Sequence, residues 1–389
     1  MKYFSVPADF KKETIEGYYA LNQKYADSKV LETYGQISVE NTFESGRTNA
    51  SLPQADYLDL KTYIEHSKKQ GIDFSYTLNA PFMHNREFTD AGVKEIKRFL
   101  YLLYDCGVRN LTIALPSMMD LVKSMDVHFV IKVSTISQVT TPNKALYYKN
   151  KGVDRIVVDE SINREFGCLK DIVDVFGDKV EIIANSLCHK ECVFRNFHYN
   201  QTSGWFQEKM DRVALGYYTN RCALRIFEDV TNLMRLSWIR PEDLKYYTAV
   251  GINYFKLQGR EYVHKGDPLR AIECYFQESY DGNLMELLDM FSPNFRFKFY
   301  IDNKKLNGFI KTFYENEGFC RKNCLQCKYC EGFLNQSVDI EQSKWMIEEA
   351  KKFNEKYDEY TKFVKSIEVN KQSQTGGKPA EIEIDFADL

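Results

Sequence analysis

The sequence predicts an α/β protein built on a (β/α)8 barrel of the TIM type, followed by a C-terminal helical, cysteine-rich extension. Three observations predict it. Short apolar runs of strand length recur along residues 25–280, helical stretches lie between several of them, and several helices close on Gly-Val or Gly-Ile just before the next apolar run, as in CGVRNLTIAL, KGVDRIVVDE and VGINYFKLQGR. Strands alternating with helices in this way form parallel β-α units, and eight such units close a barrel.

The elements follow in order. KVLETYG near residue 30 and IDFSYTLNA (72–80) mix apolar and polar positions at strand length, NLTIAL (110–115) is nearly all apolar, and HFVIKVST (128–135) is rich in β-branched residues. DRIVVDE (154–160), KVEIIANS (179–186) and YFKLQGR (254–260) complete seven runs, and the eighth strand is expected inside RCALRIFEDVTNLMRLSWI (221–239). Between them, GVKEIKRFLYLLYDCG (92–107) and NKALYYKNKG (143–152) read as helices. The barrel domain is therefore assigned to residues 1–280 and a helical extension with a four-cysteine motif to 281–367. The polar, Gly- and Pro-punctuated tail at 368–389 is expected to be disordered.

Composition narrows the function without naming it. The 389-residue chain has 28% charged residues and a net charge of -3, so it lacks the strongly basic balance that marks many nucleic-acid binders. The N-terminus shows no apolar signal region and no stretch is long enough to span a membrane, which predicts a cytoplasmic address. Ten cysteines in a reducing compartment then point to metal ligation or catalysis rather than disulfides.

The cysteines fall into two sets. Cys320, Cys324, Cys327 and Cys330 occupy eleven residues with spacings x3, x2, x2, too compact for a zinc ribbon and closer to a ferredoxin run in reverse. Iron–sulfur is the favoured occupant, zinc the alternative. CRKNCLQC also has the C-x3-C-x2-C spacing of radical S-adenosylmethionine enzymes, but it lies after the barrel instead of at its first strand. The second set is Cys188 and Cys192 in NSLCHKECVFRNFHYN (185–200), joined by Cys222. Cys188 directly follows a strand end and has His189, Arg195 and His198 nearby in sequence, where positive neighbours would favour a thiolate. These seven thiols are one short of two complete four-thiolate clusters, so one or two clusters both fit.

Active sites of such barrels lie at the carboxyl ends of the strands. Arg47, Arg240 and Arg260 are expected there as anion clamps, since a guanidinium fork meets a carboxylate or phosphate two-pronged. Asn49, Asn79 and Asn185 are candidates for amide or carbonyl contacts, with Arg195 beside the cysteines. Glu160 and His198 are the candidate proton-transfer groups. Lys256, between Phe255 and Leu257, is expected to face the barrel interior, either paired to a carboxylate or catalytic.

NSLC after a strand, the strand end INYFKLQGR, and DRIVVDESI (154–162) together resemble peptidase family U32, whose members carry a Gly-Ala-Leu-Cys type turn and a Leu-Lys-Ile-Glu-Gly-Arg type strand end. The resemblance spans roughly residues 25–280. It implies a (β/α)8-type domain holding a four-iron cluster through four cysteines, and oxygen-independent hydroxylation of ubiquinone precursors or of tRNA and ribosomal RNA bases, in some members with prephenate as oxygen donor. Here the second cysteine follows the first after four residues, as CHKEC, where the family pattern has seven. The chain thus looks like a divergent branch whose substrate, a small molecule, a peptide or an RNA, does not carry over. Proteolysis gains no support from the sequence, which has neither H-E-x-x-H nor G-x-S-x-G. A second class of reading is a cluster-bearing module, working with a protein partner or as a homodimer, without turnover of its own.

Overall fold

The computed structural model describes residues 1–43, 45–47, 51–204, 217–293, 299–320 and 323–339, with a few further positions up to 366. Eight parallel strands close a barrel in sequence order: β1 Lys2–Pro7, β2 Ser28–Gly35, β3 Asp73–Leu78, β4 Asn110–Ile113, β5 Val130–Val133, β6 Arg155–Val157, β7 Val180–Ile183 and β8 Tyr254–Lys256. Closure is made by β8 pairing with β1, where Phe4 stands opposite Phe255 and Ser5 opposite Lys256. The outer layer includes α1 Lys12–Lys24, α2 Tyr57–Lys69, α3 Asp90–Asp105, α4 Pro116–Lys123, α5 Pro142–Asn150 and α6 Phe166–Phe176.

The predicted class holds, but two strand assignments are corrected. The first strand is KYFSVP at the very N-terminus, not KVLETYG, which is β2. KYFSVP alternates: Phe4 and Val6 pack outward against the helices, while Ser5 turns inward to donate to Glu32. The expected strand within 221–239 is instead largely helical. Ala223, Leu224 and Ile226 are buried along a helix from Tyr217 to Glu228, and a short helix Asn232–Arg235 follows. Hydrophobic spacing in this stretch is helical, so it packs on the barrel rather than entering it.

The barrel interior is polar. Ser75 and Thr112 share a hydrogen bond of 2.9 Å across β3 and β4, and deeper lies a cluster in which Lys132 bonds both Glu32 and Glu181. Arg155 joins it at 3.2 Å from Glu181. Burial opposes ionisation of Glu32, yet the charges of Lys132 and Arg155 outweigh it and hold its carboxyl down to about 2.

The chain after β8 folds back on the barrel through helices Pro268–Phe276, Leu284–Asp289, Phe309–Glu315 and Tyr329–Ser337. Arg240 fixes it in place: its guanidinium pairs with Asp243 and donates to the Asn303 carbonyl at 2.7 Å. Trp238 stacks near Phe309 at 5.3 Å, adding an aromatic seam. The expected disordered tail at 368–389 lies outside the described residues.

Candidate functional site at the barrel mouth

The strand ends do converge. After β7 the chain runs through Asn185 and Cys188 into α7, Arg195–Gly204, and the helix Tyr217–Glu228 stands across from it. Between them opens a cavity of about 300 Å³ lined by all three predicted mouth cysteines, Cys188, Cys192 and Cys222, together with Arg47, Arg195 and His198. Two segments separated by some thirty residues thus bring their thiols to one space. His189 helps to hold them there, its Nε2 lying 3.2 Å from the Cys222 carbonyl oxygen. The far side of the same loop is tied down where the Ser237 N–H donates to the Cys188 carbonyl at 3.1 Å.

Beneath this cavity a smaller one, about 60 Å³, continues into the barrel between Tyr34, Asn79, Lys256 and Arg260, and shares Arg47, Tyr199 and Gln258 with the first. Lys256 faces inward as its spacing predicts, with Nζ 3.4 Å from the Tyr34 ring centroid. Among the described residues it makes no ion pair. Burial and the nearby charge of Lys132 lower its ammonium to about 7, despite Glu181. Arg260 donates to Gln36 at 3.0 Å, and burial brings its guanidinium down to about 10.

The QGR strand end depends on its glycine. Gly259 has φ +134°, and a Cβ there would come within 2.9 Å of Phe291 and Ser292, so no side chain fits between the mouth and the chain that covers it.

Other predicted residues are placed differently from expectation. Arg240 does not reach the mouth, because it is consumed by Asp243 and Asn303 beneath the C-terminal region. Glu160 is fully buried rather than presented to a ligand. One of its oxygens accepts from Thr135 and pairs with Arg195, which also contacts Asp159 at 3.2 Å. Burial would raise this carboxyl, but Arg195 more than reverses that, so Glu160 stays ionised and locked. Asn185 spends its amide on Gln258 and Asn79 spends its own on Gly46 and Ser134, so both line the cavities with side chains already engaged in shaping the mouth. Asn49 lies outside the described residues. Arg47 pairs with Glu261 at 2.9 Å and lies over the Tyr199 ring at 5.6 Å.

The cysteine environment also departs from the sequence reading. Cys188 is half-buried, and burial together with Glu160 pushes its thiol up to about 11, against the pull of Arg195 and Arg47. His189, lowered to about 4 by burial, supplies no positive charge. Such a thiol is no free nucleophile at neutral pH, whereas a bound metal would deprotonate it outright. No group of three or more His, Cys, Asp or Glu among the described residues is already arranged to hold a metal ion. The thiols fit a metal group by kind and shared cavity, and ligation would draw them together.

Sequence reasoning missed Tyr34, Thr135, Tyr199 and Gln258. Tyr34 and Gln258 stood at strand ends and were within reach of the same argument; Tyr199 and Thr135 became visible only once Arg195 had turned inward.

The four C-terminal cysteines line a separate cavity of about 250 Å³ with Phe313, Phe319 and Arg235. Among the described residues no helix is long and apolar enough to cross a membrane.

The family model described as Peptidase family U32 matches residues 45–191. The "Uncharacterized protease MJ1657" of Methanocaldococcus jannaschii is 30% identical over 295 residues, covering 76% of this chain and 86% of that protein. The solved structure of the U32 peptidase Mk0906 aligns with TM-score 0.48 and 15% identity over 69% of this chain and 94% of its own. A D-psicose 3-epimerase structure with D-fructose aligns at TM-score 0.34 and 12% identity, over 53% of this chain and 82% of its own. With the match to the archaeal protein running over most of both sequences, the chain belongs to peptidase family U32.

Proposed function

We propose that the chain is an iron–sulfur-dependent modifying enzyme, in which Cys188, Cys192 and Cys222 hold a four-iron cluster at the barrel mouth and the reaction is an oxygen-independent hydroxylation or a related modification of a small molecule, an RNA or a peptide. One observation carries this reading: three thiols from two distant segments line one cavity directly above a cationic barrel interior. When bound, the cluster would supply electron transfer and Lewis acidity at the mouth.

The protein's own groups divide the remaining work. Arg47, Arg260 and Lys256 make the deep cavity cationic, which suits an anionic substrate or co-substrate. Lys256, with its ammonium near 7, can hold or release a proton at Nζ under neutral conditions. Arg195, anchored by Asp159 and Glu160, fixes the wall beside Cys188. His198 lines the upper cavity and lies parallel to Tyr199 at 5.7 Å, where it can reach a ligand from above.

The peptidase in the family name is a weaker fit to this site. A hydrolytic thiol needs an activated, low-pKa sulfur, and Cys188 is shifted the opposite way.

The test is anaerobic purification with iron and acid-labile sulfide measured per chain, for wild type and the pair Cys188→Ala, Cys192→Ala. Loss of about four irons in the variant supports the reading. Unchanged iron in the variant, or a wild-type chain free of iron after anaerobic reconstitution, overturns it.

A further inference from the structure

Arg164 is a buried guanidinium in search of a negative charge. It lies between β6 and α6, is 8% exposed, and forms no ion pair among the described residues. Two carbonyl oxygens, of Met234 and Leu236, each accept from it at 2.6 Å. The faces of Trp238, Phe309 and Phe313 surround it at 5.1, 4.8 and 5.5 Å. Its Nε is buried with no hydrogen-bond partner. Asp243, the nearby carboxylate, is already committed to Arg240. Carbonyls and aromatic faces soften the burial of a full positive charge, yet an unpaired buried ion still costs several kcal/mol.

The groups positioned to supply the missing charge are thiols. Phe313 is at once a ring beside the guanidinium and a wall of the four-cysteine cavity, so the thiols lie on the other side of that ring. Neutral thiols would leave the arginine uncompensated. Four thiolates around one Zn²⁺, or around an oxidised four-iron cluster, would carry a net double negative charge at that wall.

We infer that Cys320, Cys324, Cys327 and Cys330 hold a second, four-thiolate metal centre, separate from the barrel mouth, and that Arg164 is its buried counter-charge. The metal would make three half-buried thiols and the exposed Cys327 into the anion that the arginine requires. The two parts stabilise each other, so each should be measurably weaker alone. Cys327, exposed at the rim, would be the last ligand to engage.

The experiment uses the full chain purified without oxygen, with zinc, iron and acid-labile sulfide measured per chain. Cys324→Ser with Cys327→Ser changes two positions outside the apolar core. It should remove one zinc, or about four irons with their sulfide, that Cys188→Ala with Cys192→Ala does not remove. Zinc or iron–sulfide distinguishes the two occupants, and either supports the centre. Metal content equal to wild type in the Cys324, Cys327 variant overturns it.

The role of Arg164 is read separately. Arg164→Met should shorten metal retention in excess chelator by about tenfold, and Arg164→Lys should recover most of it. Thermal melts cover the case in which Arg164→Met folds poorly. Arg164→Met should lower the Tm of the wild-type chain but raise, or leave unchanged, that of the Cys324→Ser, Cys327→Ser chain, where the arginine has lost its counter-charge. An equal fall in both backgrounds overturns the pairing.

Discussion

Lys256 and Tyr34 meet inside the barrel with the ammonium nitrogen 3.4 Å from the ring centroid, a cation held against an aromatic face where a carboxylate would ordinarily stand. An unfolded lysine keeps its proton to about 10.5, whereas burial lets Lys256 lose it near 7. Between those values the unfolded chain binds more protons, so this group makes the fold more stable as pH rises from about 7 towards 10.5. Lys256→Met should remove that slope, and the gap between variant and wild-type urea midpoints should change across the window. A gap constant with pH would show that the lysine is not depressed. In a turnover assay, the same change should erase a pH limb near 7.

Arg195 balances two carboxylates, Asp159 and Glu160, in a pocket with almost no solvent access. Arg195→Met should cost about 3–5 kcal/mol in chemical denaturation, because it strands buried charge. Adding Glu160→Gln should recover part of that loss, giving a coupling energy in a double-mutant cycle. Strict additivity of the two changes would contradict the pairing.

The Lys132 cluster makes the barrel sensitive to acid. Glu32 is held down to about 2, so its stabilising contribution is complete above the ordinary carboxylate value of 4.5 and is lost as pH falls towards 2. Lys132→Met should move the acid-unfolding midpoint upward in pH and lower neutral stability by about 3–5 kcal/mol. Circular dichroism during acid titration would check both.

Arg240 predicts a mechanical effect rather than a catalytic one. Arg240→Ala unties the Asn303 carbonyl and leaves Asp243 buried alone, so protease cleavage within 281–339 should accelerate severalfold while the barrel fragment persists. Uniform degradation of barrel and extension would show that Arg240 does not anchor the extension.

What the sequence revealed follows the strength of local signals. Parallel β-α alternation is a repeated pattern, so the barrel was legible even though β1 was missed: KYFSVP is short, carries a lysine and ends in proline, and proves itself only by pairing with both β2 and β8. The stretch 221–239 misled in the opposite way, since it is apolar enough for a strand and its helical spacing decides the matter. Cysteine spacing grouped Cys188 and Cys192 with Cys222, and the three line one cavity. The arginines were harder to read. Arg47 and Arg260 line the mouth while Arg240 and Arg164 are enclosed, because partners that decide a guanidinium's role come from remote chain segments such as Asn303 and Met234.

The three mouth thiols all belong to the single crossover between Ile183 and Tyr254, while the cationic floor beneath them is assembled from many strands. The thiol-bearing loops and helices therefore come from one contiguous stretch of the gene, residues 184–253, while the paired barrel strands lie outside it. That stretch is also woven into the fold, since Arg195 neutralises Asp159 and Glu160 and Arg240 ties down Asn303, so its thiols can diverge only while those anchors are kept.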